Sequence, residues 1–348
     1  MKRQRKTSVT RRNPLIYGTA VLLLRLGLRF LSRTHEEISP RLLPLQRQGY
    51  RFIYFGLHKS LWETSGVQTV LHRNRFRVPY AAMGDNLVRG RFFQAIAKRL
   101  GIFLVKRAQG RKGLLESAAL LKGEIKAHLQ AAIDVIIFPE GTRKNIPQFG
   151  RYGTFFTTVF EAALELNQEG EKVALVPLNV DYSHVREDHE MLRPTEKHPR
   201  TLHILDSLKM LSHLEDIFVS LGEPILLNDR DWNRKDLAAH CHQACLDLIK
   251  ILPINVVAWA IHSLQQKTVM DAGSLDREIE ANITVLAPYR DRFRGFDLQS
   301  RGAELFEEVA GKRKEFRSWA EKRPELLPLF KLYRDYIGHL IPADTHPA

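Results

Sequence analysis

Short apolar runs alternate with stretches of helical periodicity from about Arg51 to Ile251. Runs of four or more apolar residues that end at a turn residue or a charge predict buried strands, near residues 52–55, 78–83, 102–105, 133–138, 173–180 and 217–221. Apolar positions at helical spacing predict helices over residues 61–71, 92–100, 112–129, 155–166 and 231–251. This alternation predicts an α/β domain, a mixed sheet flanked by helices.

The strand pattern stops at Pro253, and only helical periodicity follows it. Helices are predicted over residues 254–264, 275–294, 298–316 and 328–340. Residues 252–348 are therefore predicted to be a C-terminal α-helical appendage, and residues 45–251 the main domain.

The first 44 residues combine a basic start with an apolar run from Leu15 to Leu24. The run is too short to span a bilayer, and Arg25 and Arg29 interrupt its continuation. No small-residue cleavage pattern follows, as a signal peptide would require. Residues 1–44 are predicted to be a basic membrane-association segment, with arginines at lipid headgroups and leucines in the acyl boundary. The alternative is a helix docked on the protein's own core.

Composition and charge narrow the class of protein. The 348 residues are 44% hydrophobic and 26% charged, as in a folded protein, and two cysteines cannot form a disulfide framework. The formal net charge of +14 calls for an anionic partner. A membrane surface, an acidic carrier protein and nucleic acid all have that charge, but no nucleic-acid-reading motif occurs, so nucleic acid is not expected.

His58 and Glu63 are the first candidate catalytic pair. A neutral imidazole accepts a proton from a hydroxyl, and it does so best when an acceptor holds its other ring nitrogen. The two residues are five positions apart, so a direct contact requires His58 to lie just before a helix that contains Glu63. Gly56 and Leu57 after the predicted strand allow that arrangement, and Ser60 is placed to cap the helix. The alternative is a surface histidine beside an unrelated glutamate.

A second motif, Phe138-Pro139-Glu140-Gly141-Thr142-Arg143, follows the clearest predicted strand. Ligand loops of α/β sheets lie after such strands. Gly141 permits a tight turn, Arg143 suits bidentate phosphate binding, Thr142 offers a hydroxyl, and Glu140 is placed to hold Arg143 or a substrate hydroxyl. The alternative is a structural Glu–Arg pair in a turn.

The segment that contains Cys241 and Cys245 has residue types found in zinc sites, with His240 and His242 beside them. Only the two cysteines share a helix face, and no other cysteine completes a thiolate site. No metal is therefore expected, and nothing marks Cys245 as a nucleophile.

The two motifs together resemble the glycerolipid acyltransferase superfamily, although position 63 carries Glu where the family pattern carries Asp. Two further blocks resemble the family's in order: residues 101–107 and Val176-Pro177-Leu178. The resemblance implies that His58 is a general base oriented by Glu63. It also implies substrate-binding roles for Lys106, Arg107, Glu140, Gly141, Thr142, Arg143 and Arg151.

Arg151-Tyr152-Gly153, residues 182–185 and Gly222-Glu223-Pro224 resemble the glycerol-3-phosphate acyltransferase branch. The implied reaction moves a fatty acyl group from acyl-CoA or an acyl carrier protein to a hydroxyl of glycerol 3-phosphate, without a cofactor. The implied place is the cytoplasmic face of the cell membrane, in peripheral or monotopic attachment. The alternatives are a lysophosphatidate or dihydroxyacetone-phosphate acyltransferase, and a non-catalytic relative that binds anionic lipid.

Overall fold

The computed structural model describes residues 12–13, 17–19, 33–60, 63–85, 90–105, 110–138, 154–185, 188, 216–229, 231–265, 271–321 and 323–342. These residues divide into two compact units. The first contains the described residues up to 138, those from 154 to 180, and those from 216 to 248. The second contains residues 181–185 and 188 and the described residues from 249 onward.

The strands that the structure describes are β1 Arg33–Ile38, β2 Arg51–Gly56, β3 Tyr80–Gly84, β4 Ile102–Val105, β5 Val135–Ile137, β6 Val173–Tyr182, β7 Asp216–Leu221 and β8 Ile225–Leu226. They form one sheet in the order β1-β7-β6-β2-β5-β3-β4, with β8 beside β6. The pairs β1–β7, β6–β2, β2–β5, β5–β3 and β3–β4 are parallel, and β8 is antiparallel. The predicted mixed α/β sheet is thereby confirmed.

The helices of the first unit are α1 Leu42–Arg47, α2 Glu63–Arg73, α3 Arg91–Arg99, α4 Gly110–Gln130, α5 Thr154–Gln168 and α6 Arg234–Asp247. All residues of β6 are buried, and so are the last five of β2, as expected of central strands covered on both faces. The predicted helix 231–251 is shorter in the structure. Asn233 caps its start by accepting from the amides of Lys235 and Asp236, each at 3.0 Å.

The α-helices described in the second unit are α7 Pro253–Leu264, α8 Ala272–Val285, α9 Gly302–Lys312, α10 Lys314–Arg317 and α11 Leu327–Asp335. The predicted helix 275–294 is interrupted: α8 ends at Val285 and a 3-10 helix, Ala287–Arg292, follows with Pro288 in its first turn. A buried polar cluster joins residue 188 to the last helices. Asp188 accepts from the Tyr333 hydroxyl at 2.7 Å and pairs with Arg313 at 2.8 Å.

The N-terminal segment touches the first unit where it is described. The Arg12 guanidinium donates to the carbonyls of Val78 and Pro79 at 3.1 and 2.9 Å, and it lies against the rings of Tyr17 and Tyr80. Strand β1 also lies inside the predicted membrane-association segment 1–44, yet it is paired along its whole length with β7. The apolar run from 15 to 24 is largely outside the described residues.

An ion pair with a buried carboxylate closes the end of the sheet where β2 and β5 begin. The Arg77 guanidinium donates to both oxygens of Asp134, at 3.0 and 3.1 Å, and also to the carbonyl of Tyr50. The amide of Phe52 donates to the same carboxylate at 2.8 Å. Burial raises the pKa of Asp134, and Arg77 is the principal opposing influence.

Replacing Arg77 by alanine is expected to lower the free energy of unfolding at neutral pH by about 2–4 kcal/mol. The substitution leaves a buried carboxylate without its cation, although Arg77, one-third exposed, lets water compensate in part. Without Arg77 the pKa of Asp134 should rise further. Asp134 of the folded variant is then protonated in a pH window in which the same carboxyl group is still ionised in the folded parent and in the unfolded chain. The deficit relative to the parent should therefore shrink as the pH falls through that window. Urea unfolding at several pH values measures it.

Arg73 supplies the matched control for this variant, because it pairs with Glu36 at an exposed position. Arg73→Ala should cost less than about 1 kcal/mol at any pH. Equal losses for the two variants, or a loss at Arg77 that does not depend on pH, would contradict a role for the Arg77–Asp134 pair.

Helices α2, α4 and α5 end in the same hydrogen-bonded turn. In each, the second residue past the helix has a positive φ, and the next amide bonds back to a carbonyl five residues earlier, as in the Schellman motif. The left-handed residue is Gly170 after α5 (φ +88°), but Arg75 after α2 (φ +62°) and Ala132 after α4 (φ +60°). Two of the three helix ends therefore hold a side chain where glycine fits best.

Ala132→Gly is expected to raise the free energy of unfolding by about 0.5–1 kcal/mol, because the left-handed conformation penalises Cβ. Gly170→Ala should lower it by a similar amount. Urea unfolding measures both changes. Gly123→Ala is the matched control within α4: a Cβ there meets nothing within 4 Å, so alanine should stabilise the helix interior. A loss of stability on Ala132→Gly would contradict the left-handed conformation of residue 132.

Candidate active site

The candidate site lies at one edge of the sheet, between two adjacent parallel strands. β2 and β5 pair with Phe55 opposite Ile137. His58 follows the end of β2 and Phe138 follows the end of β5, so both leave the sheet at its carboxyl edge. β2 leads through α2 towards β3, whereas β5 leads through α5 in the opposite direction towards β6. Right-handed crossovers place α2 and α5 on opposite faces, and ligands of α/β sheets commonly bind where two such neighbouring connections diverge.

The predicted contact between His58 and Glu63 is present. His58 Nδ1 lies 2.6 Å from Glu63 Oε2, and the Glu63 side chain is fully buried. The other carboxylate oxygen, Oε1, accepts from the amides of Lys59 and Ser60 at 2.5 and 3.0 Å. The two oxygens of Glu63 thus have different partners, since one holds the imidazole and the other holds the backbone before α2.

The backbone contacts of Glu63 follow from its place in the sequence. Ser60 and Glu63 have the Ser-x-x-Glu spacing of a capping box, in which the glutamate reaches back to the amide before the helix. This bond is made by the amide of Ser60, and the capping role expected of its side chain stays a prediction. An aspartate is shorter by one methylene, so it cannot make all these contacts with the same backbone.

The environment of Glu63 fixes the chemistry of His58. Burial raises the pKa of Glu63, while the imidazole and the two amides favour its ionised form. An ionised Glu63 accepts a hydrogen bond from the N–H group at Nδ1. Nε2 then carries the free lone pair and is the basic nitrogen of the ring. The His58 side chain is 20% exposed, so the ring is largely enclosed but still reachable.

Phe138, the first residue of the second motif, packs against His58. The two rings are stacked, with centroids 4.8 Å apart and planes 19° from parallel. A phenyl face stabilises a positive charge placed over it. Phe138 therefore covers one face of the imidazole, where its ring can stabilise a positive charge.

Lys59 and Asn179 were not among the predicted site residues. Lys59 is 3% exposed, and its Nζ donates to Asn179 Oδ1 at 2.8 Å. Asn179 is fully buried on β6, and its amide contacts the carbonyl of Leu248 at 3.4 Å. The pair ties the loop that carries His58 to the neighbouring strand. An amide within the apolar strand Val173–Tyr182 was the only sequence signal for it.

The predicted substrate-binding residues lie outside the described part of the chain: Lys106, Arg107, Glu140, Gly141, Thr142, Arg143 and Arg151. Their roles stay predictions. β4 ends at Val105, directly before Lys106, at the same carboxyl edge of the sheet as β2 and β5.

Cys241 and Cys245 are both fully buried on α6. Burial raises the pKa of the Cys241 thiol well above its ordinary value, so this thiol stays protonated at neutral pH. Cys245 Sγ lies 3.7 Å from the carbonyl of Phe55 at the end of β2. The two thiols pack as small core groups.

Comparison with known proteins finds similarity to acyltransferases. Residues 34–181, from β1 to β6, match the family described as Acyltransferase. Glycerol-3-phosphate acyltransferases from Hamiltonella defensa subsp. Acyrthosiphon pisum (strain 5AT), Alteromonas mediterranea and Aeromonas hydrophila are 25%, 24% and 26% identical to it. The matches cover 59–60% of this chain and 26–27% of those relatives, so the chain spans about a quarter of their length.

Among solved structures, the 1-acyl-sn-glycerophosphate (LPA) acyltransferase PlsC from Thermotoga maritima is 15% identical, with a TM-score of 0.38. That match covers 67% of this chain and 88% of the other. The family match spans both His58 and Phe138. This match and the relatives in sequence support membership of the glycerolipid acyltransferase superfamily.

Proposed function

We propose that the protein transfers a fatty acyl group from an acyl thioester to a hydroxyl of glycerol 3-phosphate. The observation that carries the proposal is the His58–Glu63 contact, made at 2.6 Å beyond the carboxyl end of β2. Three relatives named glycerol-3-phosphate acyltransferases support the choice of acceptor.

In the proposed mechanism, Nε2 of His58 takes the proton of the acceptor hydroxyl as its oxygen attacks the thioester carbonyl. Glu63 and Phe138 stabilise the imidazolium that results. The tetrahedral intermediate then expels the thiolate, and the imidazolium returns the proton to sulfur. The acceptor oxygen is itself the nucleophile, so the reaction does not pass through an acyl-enzyme.

The acceptor's phosphate is assigned to the cations that the family resemblance implies: Lys106, Arg107 and Arg143. Arginine binds phosphate oxygens through two parallel hydrogen bonds. Holding the phosphate would orient the hydroxyl against His58 and make the reaction effectively unimolecular. Glu140, Gly141, Thr142 and Arg151 complete the proposed acceptor site.

The proposed working place is the cytoplasmic face of the cell membrane, with the protein attached at its surface. Support comes from the basic residues before Asn13 and the apolar run Leu15–Leu24. Among the described residues, no helix is both long enough and apolar enough to cross a bilayer.

A labelled transfer assay tests the reaction. The purified chain would receive labelled acyl-CoA or acyl carrier protein together with glycerol 3-phosphate, lysophosphatidate or dihydroxyacetone phosphate. We expect label on glycerol 3-phosphate, and a His58→Ala preparation supplies the background. Preference for another acceptor would overturn the choice of glycerol 3-phosphate as the substrate. Absence of transfer to every acceptor would overturn the enzyme and favour the non-catalytic lipid-binding alternative.

A further inference from the structure

We propose that the exposed face of helix α3, Arg91–Arg99, is a docking surface for an anionic lipid membrane. The inference rests on the proposed function for its choice of lipid as the partner. It goes beyond the N-terminal segment, because it assigns membrane contact to a helix of the folded acyltransferase unit.

The residues of this face share exposure and sign of charge. Arg91, Phe92, Lys98 and Arg99 are all exposed, whereas Ala97 is buried. At 100° per residue the four exposed positions fall within one arc of about 120°, over a length of about 12 Å. The sequence of α3 contains no acidic residue, so the three cations face solvent as one basic surface.

Phe92 gives this surface an apolar component. It is 72% exposed, the largest value among the exposed large hydrophobic side chains of the described residues. A phenyl ring among arginines and lysines is the composition of an interfacial helix, where the ring enters the acyl boundary and the cations meet phosphates. Phe92 lies in the first turn of α3, which follows β3 and so starts at the carboxyl edge of the sheet that carries His58.

Helix α4 shows the contrast on the other face of the sheet. Leu115 and Leu120 are also exposed there, at 56% and 52%. Two cations of α4, however, are paired: Lys122 contacts Glu161 and Glu165, and Lys126 contacts Glu165 and Glu169. Exposed apolar groups thus occur on both faces, but of these two helices α3 is the one that adds a row of positive charge with no acidic residue in its own sequence.

The N-terminal chain meets α3 at its far end. The amide of Asn13 donates to the carbonyl of Arg99 at 3.1 Å, and Arg12 is held between Tyr17 and Tyr80. The apolar run Leu15–Leu24 starts two residues after Asn13. The basic face of α3 is therefore continuous along the chain with a segment of the same chemistry. This continuity favours a lipid surface over an acidic carrier protein as the occupant.

Vesicle binding by the full chain tests the proposal. The parent would be sedimented with vesicles of phosphatidylcholine alone and of phosphatidylcholine mixed with phosphatidylglycerol. Combining Arg91→Gln, Lys98→Gln and Arg99→Gln should weaken binding to the anionic vesicles by at least about tenfold, since each basic residue near an anionic surface contributes about a fivefold factor. Phe92→Ser should weaken binding to both vesicle types by about tenfold.

The control variant combines Arg277→Gln, Arg301→Gln and Arg323→Gln, which are exposed in the second unit and lower the net charge equally. It should bind like the parent, and Leu115→Ser should match the parent as well. Unchanged binding by both α3 variants would overturn the proposal, as would an equal loss in the control, which would show dependence on total charge. Circular dichroism of each variant verifies folding.

Two results separate this inference from the proposed function. Vesicle binding does not depend on turnover. A parent that is inactive but still binds vesicles through α3 would therefore support the docking surface and overturn only the proposed acyl transfer. If the α3 variants bind vesicles normally but lose transfer from acyl carrier protein while keeping transfer from acyl-CoA, the face meets a protein. That result would overturn the assignment to lipid.

Discussion

Replacing His58 by alanine is expected to lower the kcat for acyl transfer by about 10²- to 10⁴-fold, the usual contribution of general acid–base catalysis. The loss should appear in kcat, with the KM for glycerol 3-phosphate nearly unchanged, because the proposed acceptor-binding cations are untouched. Steady-state rates with labelled acyl-CoA measure both constants.

His72→Ala is the matched control, since His72 is exposed near the end of α2 in the same unit. It should retain parental kcat. A His58→Ala protein with full activity would show that another group removes the proton. A rise in KM without a fall in kcat would make His58 a binding residue.

Replacing Glu63 by glutamine is expected to lower kcat by about 10³-fold while the fold is kept. The amide oxygen can still accept from the backbone of Lys59 and Ser60, which turns the NH₂ group towards His58 Nδ1. The imidazole must then accept at Nδ1 and carry its proton on Nε2, so it cannot act as a base. Transfer rates and circular dichroism, measured together, check both statements.

Glu63→Asp distinguishes the effect of the carboxylate charge from the effect of side-chain length. Aspartate keeps the negative charge but loses one methylene, so it can serve the imidazole or the backbone but not both at the present distances. We expect a loss of about tenfold, smaller than that of the glutamine variant. Glu116→Gln, at an exposed position of α4, should change nothing. A large gain with aspartate would mean that glutamate compromises the site, and full activity with glutamine would exclude the tautomer argument.

The interior of the sheet was predictable from sequence because its strands are buried on both faces. β2, β5 and β6 read as continuous apolar runs and were found within a few residues of their bounds. β1 was missed for the opposite reason. Its sequence, Arg-Thr-His-Glu-Glu-Ile, is almost wholly polar, because it lies at the edge of the sheet beside β7 and one of its faces is open to solvent, so that its exposure alternates.

The candidate site divides in the same way. The His58–Glu63 contact joins residues five positions apart, so the local spacing allowed it and the family resemblance implied it. The contacts of His58 with Phe138 and of Lys59 with Asn179 join residues 80 and 120 positions apart. They depend on which strands are neighbours, and the order β6-β2-β5 departs from the order of the chain. No local pattern records that order, which is why Asn179 was missed.

One carboxylate closes the start of α2 and selects the protonation state of the imidazole, through different oxygens. Formation of this turn and orientation of the proposed base therefore depend on the same side chain. A chain in which the turn frays would keep both side chains and still lose the selected tautomer. The chemical competence of the site thus depends on the local stability of one helical turn.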